Sequence, residues 1–425
     1  MLLQRVTLVQ GLGLLLVLSL VWLGLQELGG WRPTTASNNT RTLRLATWGS
    51  QAEVETLTKL CHAFETDYQQ RHPQAPALRV EIRHTPDNYA SKQHLYFSIQ
   101  QSADVVMLNN GMIPTFAKAG VLAPVPATVA KQLKQTDYPS VLQALRTNQT
   151  SPLWAYPRDA SAVAVFINTS LLKQLTIPLP PTDWTWPQAL AWSLHVQQKL
   201  TASPTPPKWV WSFYQQPYLF LQPFVALHQG EALTAPFSLA TQQGLALLHD
   251  VRWKHHLSPR PTEIGTTPMS ELFLKQRLVC LVSGRWSEPQ LRTHASFAWQ
   301  VRPFPLDTQG QQPTRIDATG YAVWAKTPHP NEAHALAAFL TSPHSQAVWA
   351  NSGVMIPAHR GVAQQAHPPI ASAFLSTVEQ GKASPSLANG LQRQRCLTEF
   401  LDGYWLNQTP LAPALKQLKE HCPAW

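Results

Sequence analysis

Aromatic residues beside turns are the part of this sequence best suited to binding chemistry. The 425-residue chain contains 16 Trp, 9 Tyr and 14 Phe. Aromatic faces stack on the C–H surfaces of sugar rings, while polar side chains hold the hydroxyls. The competing interpretation, a place in the core, stays open for each ring. Four rings stand next to turns or in a loop: Trp48 before Gly49-Ser50, Trp286 after Ser283-Gly284-Arg285, Trp211 in the loop-like segment 208–216, and Tyr321 after Gly320.

The usual signatures of an active site are missing. There is no Gly-x-Ser-x-Gly elbow, His-Glu-x-x-His pair, Walker-type loop or dinucleotide fingerprint. The 23 acidic residues form no obvious catalytic pair, and no Cys/His spacing matches a metal site. We therefore expect a protein that is not an enzyme and that uses neither a cofactor nor a metal.

The charge of the chain restricts its partners. Its formal net charge is +10, from 33 Lys and Arg against 23 Asp and Glu. The basic residues are scattered, without the run of five or six that forms a nucleic-acid track, so no nucleic-acid partner is expected. An anionic solute remains an open interpretation of the charge.

The N-terminus predicts export. Residues 6–25 carry no charge, Arg5 precedes them and Glu27 follows. About 20 apolar residues suffice to span a bilayer as a helix, and Arg5 would hold the N-terminus in the cytoplasm. No cysteine lies in this region, which excludes lipidation there. We expect an uncleaved signal anchor; a signal peptide cleaved at an unusual site is the alternative.

The four cysteines fit an exported protein without forming a disulfide scaffold. Cys396 and Cys422 fall on two successive predicted helical segments, so they are the candidate disulfide. Cys61, in an amphipathic helix, and Cys280, in an apolar run, are expected to be buried thiols.

The elements needed to position these residues alternate between strands and helices. Strands are predicted at 43–47, 78–84 and 104–108, with a helix over 53–71 between the first two. A further strand at 162–167 opens a second region. This order argues for an open α/β sheet, in which ligands meet the chain where strands end. At this length two lobes are expected.

Several blocks in a fixed order resemble family 1 extracellular solute-binding proteins, the maltose-binding-protein-like group that serves ABC sugar importers. Each block is degenerate, and the order and spacing carry the specificity. The blocks are residues 43–50 (LRLATWGS), 103–124 (ADVVMLNNGMIPTFAKAGVLAP), 154–172 (WAYPRDASAVAVFINTSLL), 181–190 (PTDWTWPQAL), 282–286 (VSGRW) and 319–357 (TGYAV…GVMIP).

The resemblance implies a type II, two-lobed periplasmic-binding-protein-like α/β fold that closes on a solute by hinge motion. Residues 1–30 would be the anchor or signal peptide and 31–42 a linker. One lobe would contain residues 43–155 and about 307–355, and the other 156–306 and about 356–425. Unlike the usual family member, this chain would carry an anchor without a lipid.

The resemblance also places residues in the cleft. Three rings, Trp48, Trp286 and Tyr321, would stack on the solute. Asn109, Asp159 and Arg158 would hold hydroxyls, although Arg158 is equally suited to pairing with Asp159. Ser50, Asn110 and Ser161 complete the implied set, and Ser161 stands where some sugar binders have an acid. Trp211 is a ligand candidate from its loop position.

The expected function is capture of a sugar, oligosaccharide or polyol outside the cytoplasm and delivery to the permease of an ABC importer. We expect a monomer tethered to the cytoplasmic membrane by its N-terminal helix, or released if that helix is cleaved. Two alternatives stay open. One is a membrane-anchored solute sensor, and the other is a binder of a phosphorylated polyol such as glycerol phosphate.

Overall fold

The computed structural model describes residues 40–202, 208–213 and 221–424. The predicted anchor and most of the predicted linker lie outside these residues. Within the described ranges, no helix is both long and apolar enough to cross a membrane. The first strand begins at Thr40, so residues 40–42 of the predicted linker belong to a strand.

The strands alternate with the helices in the manner expected from the sequence. In chain order the strands are β1 Thr40–Thr47, β2 Ala77–His84, β3 Val105–Asn109, β4 Leu122–Ala123, β5 Tyr156–Ser161, β6 Ala164–Asn168, β7 Trp209–Trp211, β8 Leu278–Ser283, β9 Trp299–Pro303, β10 Arg315–Trp324, β11 Ile356–Pro357 and β12 Lys382–Ala383.

The helices cover both sheets. They are α1 Gln51–Arg71, α2 Tyr89–Ser98, α3 Ile113–Lys118, α4 Ala127–Thr136, α5 Pro139–Ala144, α6 Thr169–Gln174, α7 Trp186–Thr201, α8 Gln222–Ala226, α9 Leu239–Trp253, α10 Pro261–Ile264, α11 Met269–Leu274, α12 Glu288–His294, α13 Pro330–Leu340, α14 Pro343–Asn351, α15 Arg360–Gln364, α16 Ser372–Gln380, α17 Gly390–Trp405 and α18 Leu411–His421. A 3-10 turn, Arg285–Ser287, precedes α12.

The larger sheet has the strand order β11-β5-β10-β3-β1-β2, and β4 and β12 also pair with β10. The pairs β1–β2 and β1–β3 are parallel, whereas β10 is antiparallel to both β3 and β5. Residues 105–108 of β3 are buried throughout. Strands β1 and β10 pair with the two edges of this central strand, and helices cover the faces of such a sheet. The predicted α/β class is confirmed.

The smaller sheet has the order β7-β8-β6-β9. The chain leaves the larger sheet at Ser161 and enters the smaller one at Ala164, and it returns between Pro303 and Arg315. Two buried apolar clusters support the fold. One contains the larger sheet and one face of the smaller sheet, and the other contains the opposite face of the smaller sheet with α17 and α18. The two crossings bring the strand ends of both sheets to one cleft.

A disulfide joins Cys396 of α17 to Cys422 just after α18, with 6.0 Å between the two Cα atoms. This is the pair proposed from the sequence. Cys61 and Cys280 are free and buried, also as expected.

Candidate functional site

Two adjoining cavities lie at the strand ends between the sheets. The inner cavity, of about 200 Å³, is lined among others by Glu53, Arg158, Asp159, Arg285 and residues 354–356. The outer cavity, of about 340 Å³, is lined among others by Asn109, Asn110, Leu233, Asp317, Leu387, Leu391 and Gln394. Trp48, Ser161, Trp286 and Thr319 line both, so the two cavities form one cleft.

Trp48 reaches the cleft from the turn between β1 and α1. Gly49 follows it with φ +123°, a conformation that side chains rarely adopt. The Trp48 ring packs edge-on against Tyr89 with 4.8 Å between ring centres. The turn therefore fixes one indole at the boundary between the inner and outer cavities.

Ser50 is the N-cap of α1 and lines neither cavity. Its side chain accepts a hydrogen bond from the Glu53 backbone N–H, while the Glu53 carboxylate accepts from the Ser50 N–H at 2.9 Å. This capping box satisfies free backbone donors at the start of the helix. It also holds the Glu53 carboxylate toward the inner cavity.

Trp286 comes from the end of β8, on the smaller sheet, and is 41% exposed. Its ring lies over Gly284, where an added Cβ would stand 1.8 Å from the Trp286 Cζ3 atom. A residue with a side chain at position 284 would displace the ring. The Gly-x-Trp spacing thus has a steric reason.

Arg285 anchors the turn that carries Trp286. It is 1% exposed and donates to the carbonyl oxygens of Ala350 at 3.2 Å, Pro368 at 3.1 Å and Met355. Glu288 is the nearest carboxylate, 3.9 Å from the guanidinium. The turn from the smaller sheet is thereby held against a segment that belongs to the larger sheet's side of the cleft.

Arg158 and Asp159 form a buried charged group at the floor of the inner cavity. Arg158 lies 3.4 Å from the Asp159 carboxylate and 3.7 Å from that of Glu53, and its guanidinium stacks on Trp349 at 4.4 Å. Burial raises the pKa of Asp159 to about 6, and the Arg158 charge acts in the opposite direction. The Arg158 cation is thus faced by two carboxylates.

Asn109 and Asn110 line the outer cavity at the end of β3. The side-chain amide oxygen of Asn109 accepts from the Met112 N–H at 3.1 Å. The Asn110 amide donates to Asp317 at 2.9 Å and accepts from the Ala318 N–H at 3.2 Å. Both amides therefore take part in holding the cavity wall. Ser161, at the end of β5, lines both cavities.

Trp211 lies in the core and lines neither cavity. It is fully buried in β7, stacks on Phe213 and Trp184, and donates its indole N–H to Ser193 at 2.8 Å. The segment that looked like a loop contains a short strand paired with β8. The structure therefore corrects the expectation of a ligand contact at this position.

Tyr321 is also fully buried and lines neither cavity. A bulge between Thr319 and Gly320 shifts the register of β10 against β5. Burial raises the pKa of the Tyr321 phenol well above its usual range, and Arg158 lowers it. Tyr321 thus lies behind the charged group and the direct stacking role expected for it is corrected to a supporting one.

Several lining residues were not expected from the sequence. Glu53 could have been found from the Ser50-x-x-Glu53 capping pattern, and Arg285 from its place inside the Gly-x-Trp block. Thr319 and Asp317 lie on β10 just before the bulge, and only the tertiary fold brings them to the cleft. Leu391, on α17, had no distinguishing signal. Over the described ranges there is no cluster of three His, Cys, Asp or Glu residues that could hold a metal.

Residues 59–374 match the family model described as bacterial extracellular solute-binding protein. No curated protein matches the sequence.

The fold is similar to that of several solved structures. An ABC substrate-binding protein from Listeria monocytogenes, in complex with cycloalternan, has a TM-score of 0.75 at 17% identity, covering 91% of this chain and 98% of its own. Maltose-bound MalE3 of T. maritima has a TM-score of 0.71 at 18% identity, covering 90% and 98%. M. tuberculosis UspC has a TM-score of 0.73 at 15% identity, covering 90% and 100%.

Proposed function

Because the chain belongs to the bacterial extracellular solute-binding proteins, a family of binding proteins rather than enzymes, we propose that it captures a carbohydrate in the cleft and delivers it to an ABC importer. Similar structures hold cycloalternan and maltose, which supports a sugar or oligosaccharide as the solute class. The proposed site is extracytoplasmic, and the proposed partner is the permease of the importer.

The observation that carries this proposal is the pair of indoles at the centre of the cleft. Trp48 comes from the larger sheet and Trp286 from the smaller one, and both line the inner and the outer cavity. Carboxylates and amides lie beside them. Indole faces bind the C–H surfaces of a sugar ring, and the flanking polar groups accept from its hydroxyls.

A mobile cleft follows from this proposal. One lobe would contain residues 43–155 and about 307–355, and the other 156–306 and about 356–425. The crossings at 161–164 and 303–315 are the natural hinges, since hinges are usually a few residues at the ends of elements. The pairing of β5 with β10 supports a first hinge slightly later than the division at 155. The pairing of β11 with β5 and of β12 with β10 keeps residues 356–357 and 382–383 with the larger sheet, so the second division also falls later than about 355.

The charges in the inner cavity favour a neutral polyhydroxy ligand over a phosphorylated polyol. Arg158 is close to both Asp159 and Glu53, so its positive charge is already compensated. Arg285 is buried and bonded to three carbonyl oxygens. A phosphate here would meet two carboxylates and lose its hydration, which costs free energy.

We also propose that the chain acts as a monomer tethered by residues 1–30, or released if these are cleaved. The alternative function, a membrane-anchored sensor that uses the same cleft, is supported only by the presence of that N-terminal segment. Deleting the chain from cells should abolish uptake of the bound sugar if it serves import. Normal uptake with loss of a transcriptional response to that sugar would instead favour the sensor.

The ligand class can be tested by a thermal-shift screen of the full-length chain in a detergent without a sugar headgroup. The panel would contain mono- and oligosaccharides, polyols and their phosphates. A ligand at 100 times its dissociation constant adds about 2.7 kcal/mol of stability. We expect hits among neutral saccharides; hits confined to phosphates would contradict the proposal.

A further inference from the structure

The outer cavity has an apolar wall with an exposed leucine, whereas the aliphatic side chains that line the inner cavity, chiefly Val354, Met355 and Ile356, lie beside its charged group and the last two are buried. Leu233, Leu387, Leu391 and Pro385 line the outer cavity together with Trp48 and Trp286. In the described part of the chain six large hydrophobic side chains are exposed, and two of them, Trp286 at 41% and Leu391 at 40%, line this one cavity. Exposed apolar side chains that converge on a concave site mark a place for an apolar partner group.

Hydrogen bonds hold the segments that form this wall in place. Arg393 of α17 donates to the Leu233 carbonyl at 2.7 Å, which ties the Leu233 segment to that helix. On the opposite side, the Thr115 hydroxyl donates to the Ala388 carbonyl at 2.8 Å. The segment that carries Leu387 and Leu391 is therefore held on both sides of the cleft.

The charged groups of the cleft are concentrated in the inner cavity, which is lined by Glu53, Arg158, Asp159 and Arg285, whereas Asp317 is the charged residue of the outer cavity. Glu53, Arg158 and Asp159 meet at the inner cavity at ion-pair distances of 3.4 Å or more, longer than ordinary hydrogen bonds. In the outer cavity the Asn109 and Asn110 side chains bond to Met112, Asp317 and Ala318. The Glu53 carboxylate already accepts from Ser50 and the Asp159 carboxylate bonds to Thr319, but each keeps lone pairs for the hydroxyls of a sugar ring. The outer cavity has only the Asp317 carboxylate beside its leucines, and unpaired hydroxyls are costly to bury.

We propose that the ligand is a glycoside with an apolar non-sugar group, its sugar ring in the inner cavity and its apolar group against the leucine wall of the outer cavity. This inference rests on the proposed function and names the substrate class of the same site. The outer cavity, at about 340 Å³ against about 200 Å³, has room for a group larger than the sugar ring. A second unsubstituted sugar ring is the competing occupant.

The test is isothermal titration of the full-length chain with matched probes. Methyl and phenyl D-glucosides, galactosides and mannosides of each anomer, with the corresponding disaccharides, share the sugar ring and differ in the second group. We expect the phenyl form of the preferred sugar to bind about tenfold more tightly than the methyl form, and more tightly than the disaccharide. Equal affinity for phenyl and methyl forms, or tightest binding of a disaccharide, would overturn the inference while leaving carbohydrate binding intact.

A variant tests whether the leucine wall causes the tighter binding of phenyl glycosides. Leu391→Asn should remove most of the phenyl advantage and leave methyl glycoside affinity unchanged. Leu239→Asn, at an exposed leucine (71%) that lines neither cavity, is the matched control. A phenyl advantage that survives Leu391→Asn would contradict the placement. Failure of every saccharide to bind would contradict the proposed function itself, and with it this inference.

Discussion

The Trp286 ring lies directly over the Cα of Gly284, and a Cβ built there would stand 1.8 Å from the ring atom Cζ3. The glycine therefore sets where the indole points, two residues further along the chain. A short motif that resembles a family signature has in this way a steric explanation.

Replacing Gly284 by alanine should move the Trp286 ring and weaken saccharide binding about tenfold, roughly 1.4 kcal/mol. The measurement is titration of wild type, Gly284→Ala, Trp286→Ala and the double variant with one saccharide. If the glycine acts through the ring, the double variant will bind like Trp286→Ala alone. Additive losses would contradict that explanation.

Arg285 should contribute strongly to stability because it is buried against backbone carbonyls. Arg285→Lys keeps the charge but cannot reach all three oxygens, so we expect a loss of about 3 kcal/mol in the free energy of unfolding. Arg292→Lys is the matched control, since Arg292 is 46% exposed and pairs with the same Glu288, and it should cost under about 1 kcal/mol. Equal effects in denaturant titrations would contradict the role given to Arg285.

The buried carboxyl of Asp159 predicts a specific dependence on pH. Its pKa is raised to about 6, above an unfolded value of about 3.9. The unfolded chain therefore releases this proton first, so the contribution of this carboxyl to stability is greatest below about pH 4 and falls as the pH rises to about 6, by about 3 kcal/mol. Asp159→Asn should remove this fall.

Asp137 provides a control for that measurement. Burial raises its pKa to about 6 as well, but it lies outside the cleft, bonded to Thr136. Asp137→Asn should remove a comparable fall in stability without changing binding. If the Asp159 carboxylate accepts from a sugar hydroxyl, affinity should rise through pH 6 in wild type and in Asp137→Asn, and stay flat in Asp159→Asn. A pH-independent wild-type affinity would contradict this contact.

The disulfide should stabilise the C-terminal helices. Replacing both Cys396 and Cys422 by serine should lower the free energy of unfolding by about 3 kcal/mol, a typical value for a bridge of this kind. Dithiothreitol should lower the melting temperature of the wild type and leave that of the double variant unchanged. An equal response of both proteins to the reductant would contradict a disulfide contribution.

The sequence was informative where local patterns determine structure. A continuous apolar run predicted the central strand β3 and an alternating pattern predicted the edge strand β2. Gly49 and Gly284, close to Trp48 and Trp286, marked turns at strand ends. These turns lie at the cleft because strand ends meet there in an open sheet. Ser50 matched the correct turn, yet its hydroxyl is used by the helix cap, since the same residue type serves both purposes.

The parts of the site that the sequence could not predict depend on tertiary contacts. Trp211, in a segment that resembled a loop, and Trp286, beside a turn, were equally good ligand candidates, and only packing against Trp184 and Phe213 buries the first. Tyr321 lies two residues further along β10 than the lining residue Thr319, opposite the buried Met107 of β3, and is buried there. Leu391 reaches the cleft because a C-terminal helix docks there, about 340 residues after Trp48.

The most direct test of the central claim is isothermal titration of wild type, Trp48→Ala and Trp286→Ala with the best saccharide from the thermal screen. Trp253→Ala, at a partly buried tryptophan outside both cavities, is the control. Carbohydrate capture between the two indoles predicts a loss of about tenfold or more for each cleft variant and none for the control. Unchanged affinity in both cleft variants, with the fold intact, would contradict it.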